Sequence, residues 1–151
     1  MPYIKGAAPA SGCVFCLARD GTDDRASLVV DRGEHAFLIL NAFPYAPGHV
    51  MAVLNRHVGS FLDARPDELT EAMRLAQRAV AALAAEYRAE AFNIGLNQGR
   101  ATGAGIADHL HMHVVPRWSG DHNFMSVLGE VRVLPEELST TWERLRGRVH
   151  D

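Results

Sequence analysis

The chain is poor in lysine, with one among its 15 basic residues, and poor in cysteine, with 2 in 151 residues. Its formal net charge of −3 provides no basic field for a nucleic-acid backbone, which excludes a general DNA or RNA binder. Small nucleotides stay admissible, because a few local donors suffice to hold them. No apolar run approaches the ~20 residues that cross a bilayer, so no membrane partner is expected. The first twelve residues carry one lysine and no apolar signal core, which points to a cytoplasmic location. Two cysteines in such a compartment exclude a disulfide framework. What is present is an ordinary globular composition, 48% hydrophobic and 22% charged. The length predicts one domain over residues 1–151, with 1–11 as a flexible lead-in. The arginine bias points to no function.

Local patterns predict an α+β domain. Cys13 to Leu17 reads as a short apolar knuckle and Arg19 to Arg25 as a charged turn. Ser27 to Asp31 and Ala36 to Asn41 read as a hairpin joined by Arg32-Gly33-Glu34. A loop, Asn41-Ala-Phe-Pro-Tyr-Ala-Pro-Gly48, leads to a third strand from His49 to Asn55. Its two prolines stiffen it and its glycine closes it. Pro66 to about Arg88 is a long helix, with Leu69, Ala72, Met73, Ala76, Val80, Leu83 and Tyr87 as its apolar stripe. Pro66 suits the first helical position, and Asp67 and Glu68 suit the positive end of the helix dipole. Phe92 to Asn97 alternates as a fourth strand, and Phe124 to Val133 has mixed character. A closing helix runs from Pro135 to about Arg148, with Leu138, Trp142 and Leu145 on its apolar side. Hairpin turns and one long helix between strands imply a largely antiparallel sheet of about five strands, with the helices on one face.

The densest chemistry lies in His109-Leu-His-Met-His-Val-Val-Pro-Arg117. On a strand, His109, His111 and His113 share one face, about 6.5–7 Å apart, and Leu110, Met112 and Val114 share the other. A lone strand histidine is usually a hydrogen-bonded core or surface residue, and His35, His122 and His150 are read that way. Three in strict alternation demand a chemical reason. One is metal binding, and the other is nucleophilic catalysis by a neutral imidazole. Cys13 and Cys16 form a Cys-x-x-Cys pair without the preceding strand of a redox motif, so they read as half of a zinc site. With His57 and His109 they would complete a Cys2His2 set, leaving His111 and His113 for chemistry. Spacing alone leaves that assembly open.

These segments resemble the histidine triad (HIT) family over roughly residues 13–135. His109-Leu-His-Met-His-Val-Val is similar to the triad itself. Pro47-Gly48-His49 through His57 resembles the family's Pro-Gly-His strand, and Phe92-Asn-Ile-Gly-Leu-Asn97-x-Gly99 the strand and loop before the triad. Cys13-Val-Phe-Cys16 is similar to an amino-terminal zinc knuckle. The resemblance implies the histidine triad fold, a homodimer whose sheets join across the two-fold axis, and an adenine nucleotide as substrate. His111 would be the nucleophile and form a nucleotidyl-histidine at the α-phosphorus, with His113 and His49 on the phosphoryl oxygens. Asn97 would contact the nucleotide or its loop, Asn41 the ribose side, and Phe37 and Ile39 would form a purine slot. Cys13, Cys16, His57 and His109 would hold a structural zinc, which with four protein ligands leaves no open position.

Gly105 and Ile106 stand where many members carry Gln followed by Ser or Thr. Backbone N–H groups at Gly103 to Gly105 would replace the lost donors, or these glycines simply make a turn. The tail, Val115-Pro116-Arg117-Trp118 through Phe124 and then Val133-Leu-Pro-Glu136, resembles the branch that cleaves diadenosine polyphosphates. The expected activity is cleavage of a dinucleoside polyphosphate, with hydrolysis slightly favoured over phosphorolysis. The rivals are a nucleoside phosphoramidase and a nucleotide- and zinc-binding module without turnover.

Overall fold

A computed structural model describes residues 12–121 and 136–149 of the chain. The lead-in, the stretch from Phe124 to Val133, His122 and His150 lie outside them. The elements are α1 (Val14–Asp20), β1 (Val29–Arg32), β2 (Ala36–Leu40), β3 (Val50–Leu54), α2 (Pro66–Tyr87), β4 (Ala91–Leu96), β5 (His111–Arg117) and α3 (Leu138–Arg146). The five strands form one antiparallel sheet in the order β1-β2-β3-β5-β4, so the expected α+β architecture is present.

The sheet separates two cores by strand parity. Val30, Leu38, Leu40, Val50, Ala52, Leu54, Leu110, Met112 and Val114 point to one face, where α2 and α3 cover them. Val29, Phe37, Ile39, Met51 and Val53 point to the other, beneath Phe15 and Ala18 of α1. β2 and β3 are therefore buried on both faces, which is why they read as unbroken apolar runs. The helices do not all lie on one face. The knuckle is itself a helix, and it packs on the side opposite α2.

The stripe of α2 is also displaced from the expected one. Ala72, Leu75, Ala76, Ala79, Ala82 and Leu83 are buried, whereas Met73 is half exposed. Alanine carries the contact because its small side chain lets the helix approach a sheet already filled by leucine and valine. Pro66 occupies the first helical turn, and the carboxylate of Glu68 turns back to accept from the Arg65 N–H at 2.8 Å. Glu71 reaches across to the β1–β2 turn, accepting from the N–H groups of Glu34, His35 and Ala36. A Cβ on Gly33 would lie 2.7 Å from that carboxylate. This contact ties the first hairpin to α2.

Candidate active site and metal centre

The register places the histidines. On β5, His113 is opposite Met51 and His111 is opposite Val53 of the central strand β3. His49, immediately before β3, has the same parity and joins them. Gly48 allows this entry, because its φ of +80° lies in the left-handed region and a Cβ there would meet Leu83 at 2.5 Å. His109 and Leu110 continue the direction of β5 beside residues 54–58, with the Leu110 N–H donating to the Val58 carbonyl at 2.7 Å. Gly59 lets that neighbouring segment close, since its Cβ would lie 2.9 Å from the Ala107 carbonyl oxygen.

Hydrogen bonds define the tautomers. Nδ1 of His111 lies 2.8 Å from the carbonyl oxygen of His109. A carbonyl only accepts, so Nδ1 carries the proton and Nε2 keeps its lone pair. His49 is read in the opposite sense, because its Nδ1 accepts from the Tyr45 N–H at 3.1 Å. Its proton is then on Nε2, which donates to Nδ1 of His113 at 3.0 Å. His113 is thereby left with an N–H at Nε2. One imidazole offers a lone pair and its neighbour offers a donor. Burial pushes the His111 imidazole below its ordinary value, against the opposing pull of its bond to His109. Burial, with the His111 ring beside it, takes His113 to about 4. Both rings are neutral at pH 7.

The second cluster lies at the other end of the triad. One ligand atom from each of Cys13, Cys16, His57 and His109 falls within 4.8 Å of the others. Sγ of Cys13 is 3.2 Å and Sγ of Cys16 is 3.7 Å from Nδ1 of His109, and Cys16 is 3.3 Å from Nδ1 of His57. Bond lengths of about 2.0–2.3 Å in a tetrahedral zinc site give ligand spacings of ~3.3–3.8 Å, so these residues fit such an ion. Nε2 of His109 donates to the Leu54 carbonyl at 2.7 Å, which leaves Nδ1 as the ligand atom, a usual outer-shell arrangement. Burial, followed by the adjacent Cys13 sulfur, raises the Cys16 thiol. A cation would reverse that tendency by taking the thiolate. Cys13 sits at the N-cap of α1, where its carbonyl accepts from the Leu17 N–H at 3.0 Å but its side chain makes no capping bond, so its sulfur is free to face the cluster.

The remaining predicted positions are less uniform. Phe37 and Ile39 face the histidine side but are 1% and 7% exposed, packed with Met51 and Val53 as a floor. Asn41 accepts from the Phe43 N–H at 2.9 Å, holding the loop before His49. Asn97 follows β4 and is partly buried. Gly103 has φ +77° and gives its N–H to Arg100 at 3.2 Å, which is turn chemistry. Gly105 lies in the same loop. His35 is half-buried, 3.5 Å from Asp67. Two aromatics were not among the candidates. Tyr45 packs against His49 at 4.8 Å, and Phe15 lies 5.0 Å from His111. Their signal was their position beside Pro-Gly-His and between the cysteines, and neither residue type marked it.

The five-stranded antiparallel sheet and the row of histidines on its central strands define the class of protein to which the chain belongs. The HIT domain family matches residues 23–120, and the chain belongs to that family. It is 42% identical over 118 residues to a protein of Mycobacterium tuberculosis (strain ATCC 25618 / H37Rv) named AP-4-A phosphorylase, covering 78% of this chain and 60% of that protein. The chain thus spans about three-fifths of that relative's length. It is 31% identical over 139 residues to an uncharacterised 16.1 kDa HIT-like protein of Mycoplasma pneumoniae, covering 92% and 93% of the two chains. A Zn-bound histidine triad family protein from Mycobacterium smegmatis has the same fold, with TM-score 0.76, 24% identity and coverage of 92% and 94%. Among the described residues no helix is long and apolar enough to cross a membrane.

Proposed function

We propose that the protein is a nucleotidyl transferase that cleaves a dinucleoside polyphosphate of the diadenosine tetraphosphate type. The observation that carries this reading is the tautomer of His111, whose protonated Nδ1 leaves a neutral, buried Nε2 as nucleophile. Nε2 attacks the α-phosphorus, the P–N bond forms, and the P–O bond to the polyphosphate breaks with its electron pair on the leaving oxygen. His113 donates from Nε2 to a phosphoryl oxygen, and His49 holds His113 in that tautomer. The acceptor then attacks phosphorus and returns the lone pair to His111. The likeness to a protein named AP-4-A phosphorylase supports inorganic phosphate as that acceptor, with ADP as one product, over the hydrolysis that the family resemblance slightly favoured. Asn41 and Asn97 border the nucleotide, with Phe37 and Ile39 as the buried floor that supports its purine slot and the Gly103–Gly105 loop beside its phosphates.

Cys13, Cys16, His57 and His109 would hold zinc in a closed, structural Cys2His2 site. It would add stability and rigidity and take no part in the reaction. β4 is an edge strand with most of its residues exposed, which supports a homodimer built by pairing that edge with a second copy. The site lies in a single cytoplasmic domain on this reading.

The test is product analysis with diadenosine tetraphosphate, with and without inorganic phosphate, for the wild type and His111→Asn. Phosphate-dependent ADP that disappears in His111→Asn supports a phosphorylase. AMP and ATP formed without phosphate would make it a hydrolase. Turnover retained by His111→Asn would overturn the nucleophile. If neither product appears, an adenosine phosphoramidate tests the rival amidase.

A further inference from the structure

The cysteine knuckle and the histidine pair are in physical contact. Phe15 lies between the two cysteines in sequence and is 2% exposed. Its ring meets His109 edge-on at 5.4 Å and leans on His111 at 5.0 Å, with 53° between the planes. His111 is otherwise bounded by His113 at 4.9 Å and by its bond to the His109 carbonyl. The Nδ1 bond restrains the His111 ring from one side, and Phe15 blocks movement toward the face under α1. A nucleophile aimed at phosphorus needs both restraints, because an error of about 1 Å can cost ~100-fold in rate.

What holds Phe15 is the position of α1. The helix is seven residues long, too short to be stable by itself. Its last turn is tied by Arg32, which donates to the carbonyl oxygens of Ala18, Arg19 and Gly21. Arg19 adds a bond to the Asn55 carbonyl. The first turn has no side-chain cap, and there the cysteine sulfurs turn toward His57 and His109. A metal bound by these four residues would pin the end of the helix that carries Phe15.

We propose that Phe15 is a positioning residue for His111, so that metal occupancy of the Cys13–Cys16–His57–His109 cluster sets the orientation of the nucleophile. The inference rests on the assignment of His111 above. It gives the metal site a second consequence besides stability. The cluster is structural in its chemistry, yet its state reaches the reacting atom through one aromatic ring.

The experiment uses the full chain, zinc-loaded, as wild type and as Phe15→Leu, which keeps an apolar side chain under α1. Three quantities are read: zinc per chain, ring nitrogen resonances of His111, and kcat and KM with diadenosine tetraphosphate. The expected result is one zinc retained, His111 resonances shifted or broadened, and kcat lowered about 10- to 100-fold with KM little changed. Unchanged kcat and unchanged His111 resonances would overturn the proposal, as would a kcat loss that merely follows zinc loss. If Phe15→Leu does not fold, wild type is stripped of zinc with a chelator and reloaded. The His111 resonances should then move and return, and indifference to zinc would overturn the link. These resonances are read without turnover, so a failed nucleophile assignment would show separately, as activity surviving in His111→Asn.

Discussion

Under α2 and α3 the sheet presents a broad apolar core that includes Leu38, Leu40, Ala52, Leu83, Met112 and Val114. Under α1 the core is small, with Phe15, Ala18, Val29, Phe37, Ile39, Met51 and Val53, and it is bordered by histidines and cysteines. The same strands build both faces, so alternation alone separates them. The first face is held by area removed from water, which is non-directional and tolerant of small displacements. The second is held by hydrogen-bond direction, tautomer and a fitted ligand set, each of which is intolerant of them. A fold can therefore lose its chemistry on one face without losing its stability on the other.

Breaking the second face alone gives the largest effect. His111→Asn should lower turnover of diadenosine tetraphosphate by at least ~1,000-fold, as expected when a nucleophile is removed. Its urea midpoint should stay close to that of the wild type. A comparable loss of stability would mean that the histidine row is core after all.

The converse change is Leu38→Ala on the helix-covered face, where Leu38 is fully buried. Leaving a cavity there should cost about 2–5 kcal/mol in urea unfolding. Wherever the variant is still folded, zinc content and the turnover per folded molecule should be retained. Loss of zinc at low urea, before global unfolding, would show that the faces are coupled more tightly than their packing implies.

The contrast between the faces also explains what could be read from the sequence. Strand parity and the His-x-His-x-His run located both sides of β5, because a period of two is a local property. The ligand set followed from a family resemblance, since nothing local brings Cys13 to within reach of His109, 96 positions away. The apolar period on α2 includes Met73 and leaves out Leu75, Ala79 and Ala82, because a period reports apolarity and not how closely the helix approaches the sheet. The helix over Val14–Asp20 carries only a knuckle's signal in the sequence, because it is short and has no side-chain cap. Its stability comes from Arg32 and from the sheet beneath it. Tyr45 and Phe15 act through distances of about one ring, which a single sequence does not encode.

A smaller effect should come from Glu68 at the start of α2. Its buried carboxylate accepts from Arg56 at 2.9 Å and from the Arg65 N–H at 2.8 Å. Glu68→Gln keeps the shape but removes the charge-assisted bonds, and should cost about 1–3 kcal/mol. Activity at neutral pH should be unchanged. A parallel loss of kcat would indicate that the helix face positions the histidines directly.

The finest separation uses pH, since the two regions titrate in different windows. His113 falls from its ordinary 6.5 to about 4 in the folded chain through burial, with the His111 ring adding to it. The unfolded chain therefore takes up the proton first, and stability declines as pH falls from about 6.5 toward 4. His111, also pushed down by burial, acts in the same direction. Glu68 falls from 4.5 to about 2, chiefly through its bond from Arg56. Its contribution is complete above 4.5 and is lost between there and about 2. No single group can give a slope above about 1.4 kcal/mol per pH unit. Urea midpoints measured from pH 7 to pH 2.5 should decline through both windows in the wild type. His113→Asn should make only the upper decline shallower, and Glu68→Gln only the lower. If His113→Asn left the upper decline intact, the loss there would belong to the cluster of Cys13, Cys16, His57 and His109, and zinc content followed over the same pH range would fall with it.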